Sequence, residues 1–323
     1  MGKVAGVILA AGKGVRMKSE LPKVLHEVAG LPMLEFVIQA MRQAGIEDLY
    51  VVVGNRKELL RERFADAGLT FVDQDQQLGT GHAVKVTEPV LGQFDGDVVV
   101  VNGDNPLLRA ETICQAVRMR SDSGVSCVVV TARVNDPFGY GRIVRSHDDL
   151  VERIVEQRDA SDRERDINEV NSGNYVFVAV DLFRALDRLS SENDQGEYLL
   201  TDVVKLLRED GRAVQGLVAA DPAEVLGINS REQLAMASRL LQQRINERWM
   251  SEGVTLVSPE TTFIDPRVVL GPDTVVEPCV VIRGRVKVGS NCRIGPFVEL
   301  TGPLEVPEGK TVRARSEGRP EEV

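Results

Sequence analysis

Val7-Ile8-Leu9-Ala10-Ala11-Gly12-Lys13-Gly14-Val15-Arg16-Met17, followed by Leu21-Pro22-Lys23-Val24-Leu25-His26, is the stretch that decides how this chain is read. An apolar run that stops at two spaced glycines and continues into spaced cations is the pattern of a buried strand opening onto a phosphate cradle. Gly12 and Gly14 can adopt positive φ and let backbone N–H groups approach an anion. Lys13, Arg16 and Lys23 add positive charge, Arg as a bidentate fork and Lys as a compact point charge. Two familiar phosphate loops do not fit. A dinucleotide fingerprint would need glycine at position 17, which is Met17, and no Gly-Lys followed by Ser or Thr occurs at Walker spacing.

The full string L-A-A-G-x-G-x-R-M…L-P-K is more specific than a bare Gly-x-Gly. It resembles the signature of sugar-1-phosphate nucleotidylyltransferases, and most closely that of N-acetylglucosamine-1-phosphate uridylyltransferases. The resemblance implies that Leu9, Ala11, Gly12, Lys13 and Gly14 hold the nucleotide and that Arg16 and Lys23 neutralise phosphate charge in catalysis.

The strands and helices that follow support an α/β fold. Residues 4 to 10 read as a first strand. Met33, Phe36, Val37, Ala40 and Met41 space an amphipathic helix stopped by Gly45. Further Val-rich strands are expected at 49–54, 70–72, 97–101 and 125–130, with a polar helix up to about 67. Continuous Val runs alternating with helices indicate a Rossmann-like, mostly parallel sheet covered on both faces. Ligands bind such sheets at the carboxyl ends of the strands, so the glycine loop and Asp104 should face one crevice. Residues 132 to 228 are more mixed, with short strands near 142–145, 150–155 and 174–179, and read as an insertion that walls the second substrate. Residues 1–230 are therefore expected to form the nucleotidyltransferase domain, with Asn229-Ser230 starting a linker helix over 231–253.

After this helix the period changes. Ile264, Leu270, Val276, Ile282, Val288, Ile294, Leu300, Val306 and Val312 fall six residues apart. Val268, Val280, Val286, Cys292, Val298 and Leu304 make a second row, interrupted by Thr274. This is the hexapeptide repeat of a left-handed parallel β-helix over 254–315, a prism of about three coils at ~18 residues each. Charged residues 316–323 read as a frayed tail.

Composition narrows the function. The chain has 323 residues, of which 43% are hydrophobic and 27% charged, an ordinary globular balance. A net charge of −10 argues against nucleic acid as a partner, and no run approaches the ~20 apolar residues of a membrane span. The N-terminus carries no signal-peptide pattern. Cys114, Cys127, Cys279 and Cys292 lack C-x-x-C spacing and read as small buried hydrophobes in a reducing cytoplasm.

Three groups of residues carry the chemistry. Gln74-Asp75-Gln76-Gln77-Leu78-Gly79-Thr80-Gly81-His82-Ala83 offers amides that can read a base edge, or else a polar loop with Thr80 as helix cap. By the resemblance Gln74, Gln77, Gly79 and Thr80 contact uracil, while His82 reads as a packing or hydrogen-bonding residue. Asp104, in Gly103-Asp104-Asn105-Pro106, stands at a strand end where a carboxylate suits Mg²⁺, which takes few carboxylates plus phosphate oxygens and waters. The alternative is an Asx turn. The resemblance makes Asp104 a metal ligand and pairs it with Asn229 of Gly227-Ile228-Asn229, which taken alone is a helix cap. It also places Gly141, Glu156 and Asn171 around the sugar, with Asn102 in the same sugar-binding set.

The match to the family is not complete. Val15 stands for a usual Thr, Asn102 for a usual aromatic and Asn105 for a usual Val, which leaves the sugar more open than the reaction. The resemblance implies Mg²⁺-dependent transfer of UMP from UTP to N-acetylglucosamine-1-phosphate, and a homotrimer joined through the β-helix. His26, His82 and His147 all precede the hexapeptide segment, so an acetyltransferase base is missing there and that activity is not expected. Two alternatives remain: another sugar-1-phosphate or nucleotide such as glucose-1-phosphate or dTTP, and a non-catalytic regulatory subunit.

Overall fold

Val and Ile runs become central strands because β-branched side chains fit a pleated surface buried on both faces. The computed structural model describes residues 2–314 and 320–322. Its first four long strands are β1 (Val4–Leu9), β2 (Leu49–Val53), β3 (Thr70–Asp73) and β4 (Asp97–Asn102). They lie parallel in the order β4-β1-β2-β3. The helix Met33–Gln43 returns the chain from β1 to β2 and stops before Gly45, whose φ of 82° is open to glycine. Alternate residues serve opposite faces: Val98 and Val100 pack with Val7 on one side, Val99 and Val101 with Ile8 on the other.

The region read as a walling insertion is instead part of the same sheet. Beyond β5 (Cys127–Arg133), a hairpin of β6 (Arg142–Arg145) and β7 (Val151–Val155) leads to β8 (Glu169–Val178) and β9 (Val214–Val218). The nine-stranded sheet has the main order β9-β5-β8-β4-β1-β2-β3, with β6 paired to β8 and β7. β8 runs antiparallel to both its neighbours, β4 and β5. The reading found only its apolar end near 174–179, because Asn171-Ser172-Gly173-Asn174 interrupts the pattern. The register shifts between Asn171 and Asn174, and Ser172 Oγ donates to Val130 O at 2.6 Å, so the Ser172 hydroxyl is satisfied inside the sheet.

Contacts divide the chain into one unit of residues 1–26 and 33–229 and a second of 27–32 and 230–323. The short hairpin at 27–32 thus groups with the second unit, where the reading had put the whole of 1–230 together. In the second unit the helix Arg231–Ser251 begins at Ser230, whose Oγ accepts from Gln233 N at 3.2 Å. The cap is therefore Ser230 and not Asn229. The helix is no free linker: Trp249 enters the apolar core of the coils. Gln242 Nε2 donates to Ile264 O at 3.2 Å, and Asn246 Nδ2 donates to Pro259 O at 2.7 Å and Thr262 O at 3.1 Å.

The coils stack as three parallel sheets with partners one turn apart, as in Val269↔Lys287, Val275↔Arg293 and Val281↔Glu299. All nine six-spaced residues are buried. This is a hexapeptide β-helix of the left-handed class. Thr274 breaks the second row without leaving a polar group stranded, since its Oγ1 donates to Gly289 O at 2.8 Å and accepts from Cys292 N at 3.3 Å. The cysteines depart from the reading: Cys127 and Cys292 are buried, but Cys114 is intermediate and Cys279 is exposed, with a positive φ in a coil corner. Of the expected tail, 316–319 and 323 lie outside the described residues, while 320–322 pair antiparallel with 312–314. Among the described residues no helix is long and apolar enough to cross a membrane.

Candidate active site

Strand ends gather the site. β1 and β4 are adjacent and parallel, so the loops leaving Leu9 and Asn102 emerge side by side, and Gly103 N donates to Leu9 O at 2.9 Å. Gly12, Lys13 and Arg16 are exposed on the first loop. Gly14 has φ 59°, and a Cβ there would sit 2.7 Å from Lys23 Cβ. The glycine is therefore required twice over, by its backbone angle and by the lysine stem laid against it. Lys23 opens the 3-10 turn Lys23–Leu25 and reaches across to the second loop.

There Lys23 Nζ meets two oxygens. It pairs with the Asp104 carboxylate and donates to Asn229 Oδ1 at 2.8 Å. Asn229 Nδ2 in turn donates to Gly227 O at 3.2 Å, and Ile228 N to Asp104 O at 3.0 Å. Residues 125 positions apart in sequence thus aim a carboxylate and an amide oxygen at one cation. Hard oxygen donors, few in number and open to further ligands, fit Mg²⁺. Among the described residues no hydrogen bond or ion pair joins Lys13 or Arg16 to this cluster. No group of three or more His, Cys, Asp and Glu side chains suited to a metal occurs among them either. Any metal here would depend on substrate oxygens or water to complete its shell.

The amide-rich segment lies beyond β3. Gln74 is buried, and its Nε2 donates to Gly79 O at 3.2 Å and lies 3.0 Å from His82 Nδ1. Gln77 and the glycine loop both crowd Gly54, just past β2: a Cβ there would be 2.6 Å from Gln77 Nε2 and 3.0 Å from Ala11 O. Gly79 has φ 113° and caps the helix Thr80–Lys85, so Thr80 is its first residue and not its cap. Thr80 Oγ1 is occupied by Leu200 N at 3.0 Å.

A second group forms around β8. Asn171 N donates to Gly141 O at 2.9 Å, and a Cβ on Gly141 would lie 3.6 Å from both Asn171 Cβ and Glu156 Oε1. Asn171 Nδ2 donates to Tyr175 Oη at 2.7 Å, and Thr201 Oγ1 to Glu156 at 3.3 Å. Burial raises the Glu156 carboxyl above its ordinary range, against the pull of the Thr201 hydroxyl. Burial likewise pushes the Tyr175 phenol up. Asn102 links this group to Asp104 two residues on, its Nδ2 donating to Gly173 O at 3.3 Å.

Sequence reasoning missed the segment Tyr198–Thr201. Tyr198 N donates to Leu78 O and accepts Gly81 N at its own carbonyl, both at 2.8 Å. Leu200 reaches Thr80 and Thr201 reaches Glu156. One short stretch therefore braces both the amide segment and the carboxylate. No local pattern announces it, because its role lies wholly in long-range contacts.

Comparisons with known proteins agree with this architecture. The family described as MobA-like NTP transferase domain matches residues 6–213, and bacterial transferase hexapeptide repeats match 262–302. The bifunctional protein GlmU of Geobacter metallireducens is 46% identical over 94% of this chain and 64% of its own length. That of Exiguobacterium sibiricum is 43% identical over 95% of this chain and 68% of its own. The chain thus spans roughly two thirds of the length of these relatives, and slightly less for the first. A crystal structure of UDP-glucose pyrophosphorylase complexed with UDP-glucose shares the fold at a TM-score of 0.62 and 18% identity, covering 76% of this chain and 100% of that one. The chain belongs to the MobA-like NTP transferase family and is a relative of the GlmU proteins.

Proposed function

We propose that this chain is a uridylyltransferase that transfers UMP from UTP to N-acetylglucosamine-1-phosphate. A phosphate oxygen of the sugar attacks the α-phosphorus in line; the new P–O bond forms as the bond to the β-phosphate breaks, and pyrophosphate leaves. The observation that carries this reading is the convergence of Lys23, Asp104 and Asn229 at the ends of β1 and β4. Phosphoryl chemistry of this type needs positioning and charge neutralisation and no protein nucleophile. In this reading Asp104 and Asn229 hold Mg²⁺, which supplies Lewis-acid charge at the phosphates. Lys23 and Arg16 neutralise phosphate oxygens, while Leu9, Ala11, Gly12, Lys13 and Gly14 cradle them. Gln74, Gln77, Gly79 and Thr80 read uracil, and Asn102, Gly141, Glu156 and Asn171 orient the sugar.

The hexapeptide unit has no histidine, so the reading confines these residues to uridylyl transfer and gives the coils a structural task. Phe263, Val269 and Phe297 are exposed on them, apolar surface suited to self-association as a homotrimer. We place the reaction in the cytoplasm, where UTP is made, in keeping with four free cysteines.

The direct test is pyrophosphate release with UTP and Mg²⁺ across N-acetylglucosamine-1-phosphate, glucosamine-1-phosphate and glucose-1-phosphate. Preference for the N-acetylated sugar is expected. Release with another sugar alone would overturn the acceptor, and silence with nucleotide still bound would favour a regulatory subunit. Glu156 supplies a pH signature. Its carboxyl accepts sugar hydroxyls best when ionised, and its raised pKa means protonation begins at higher pH than for an ordinary Glu. The acceptor KM should therefore rise as pH falls through that range, with kcat little changed. Glu156→Gln should flatten this dependence at a raised KM, and an unchanged profile would remove Glu156 from the sugar site. Light scattering of the whole chain should give three copies; a monomer would leave the exposed coil surface without its proposed role.

A further inference from the structure

Asp104 and Asn229 aim their oxygens at one spot, and a cation already fills it. Lys23 Nζ sits between them, and the Lys23 and Asp104 side chains keep only 14% and 16% of their exposure. A carboxylate so withdrawn from water needs a positive partner. Nζ takes Asp104 Oδ2 and Asn229 Oδ1, and a divalent ion brought beside it would meet strong like-charge repulsion in a partly desolvated pocket. A divalent ion could therefore reach Asp104 and Asn229 only as Lys23 leaves.

The position of Lys23 gives it somewhere to go. Its stem lies against Gly14, in the loop whose backbone would receive phosphate. Four flexible carbons can swing an ammonium from a carboxylate to a phosphate with the backbone fixed. We propose that Lys23 is a place-holder for the metal. It occupies both metal ligands in the free protein and vacates them when nucleotide phosphates offer another anion. Metal binding is thereby coupled to nucleotide binding, and the metal alone binds weakly. The coupling is reciprocal by linkage: whatever frees the ligand pair for the metal frees Lys23 for the phosphates. The inference rests on the reading above that Asp104 and Asn229 are metal ligands, and it adds to Lys23 a positioning role distinct from charge neutralisation.

The test is nucleotide-free Mn²⁺ binding followed by electron paramagnetic resonance, using the full chain as wild type, Lys23→Met and Lys23→Gln. Two neutral variants guard against one that fails to fold. Both should bind one Mn²⁺ about tenfold or more tighter than wild type, the scale of an ordinary coupling between sites. Adding Asp104→Asn to either should abolish that gain. A purely structural or purely phosphate-binding Lys23 would leave free-metal affinity unchanged or weaker. That result, with wild-type Mn²⁺ binding still appearing once UTP is present, would overturn the place-holder and leave the metal site standing. No Mn²⁺ binding by any protein, with or without UTP, would overturn the metal ligands themselves.

Discussion

One ammonium group held by a carboxylate and an amide ties this site together. Lys23 comes from the loop after β1, Asp104 from the end of β4, and Asn229 from the last residues of the first unit. The net stability of such a withdrawn pair is small or even unfavourable, because desolvation offsets most of the attraction. Its significance is different. Removing either charge leaves the other stranded, so the spot requires a cation at all times. A site built to demand positive charge beside a phosphate-sized loop is organised for polyphosphate chemistry.

The sheet makes that arrangement possible. Parallel neighbours β1 and β4 deliver two loops to one edge, and β8, inserted antiparallel beside β4, brings Asn171 and Gly173 to the same edge as Asn102. Asn102, proposed to face the sugar, and Asp104, proposed to hold the metal, are thus two positions apart where β4 ends. Glu156 arrives from beyond β7, where burial raises its pKa while the Thr201 hydroxyl, from a segment far along the chain, pulls it back down.

Much of this was legible in the residues. Four parallel strands and the six-residue period appear directly, because a Val run and a repeated buried position are local signals. The glycine loop, the Gln-rich segment and Asp104 were readable because each couples an unusual composition to a strand end. What escaped depends on distant partners. The polar stretch Asn171–Asn174 hid a ten-residue strand, since nothing local tells that Ser172 finds Val130 O inside the sheet. Tyr198–Thr201 carries no local signal, yet it braces both the amide-rich segment and Glu156. Gln242 and Asn246, on the helix read as a linker, carry no local sign that they bind coil carbonyls and dock it. Asn229 read most simply as a cap, a task the structure gives to Ser230.

The proposed reaction is a direct displacement at the α-phosphorus, organised by charge and position with no covalent enzyme intermediate. The stereochemical course tests it most directly. With UTP made chiral at the α-phosphorus by sulfur substitution, the account predicts inversion of configuration in the nucleotide-sugar product. Retention would mean two displacements through a protein nucleophile, and would contradict the account.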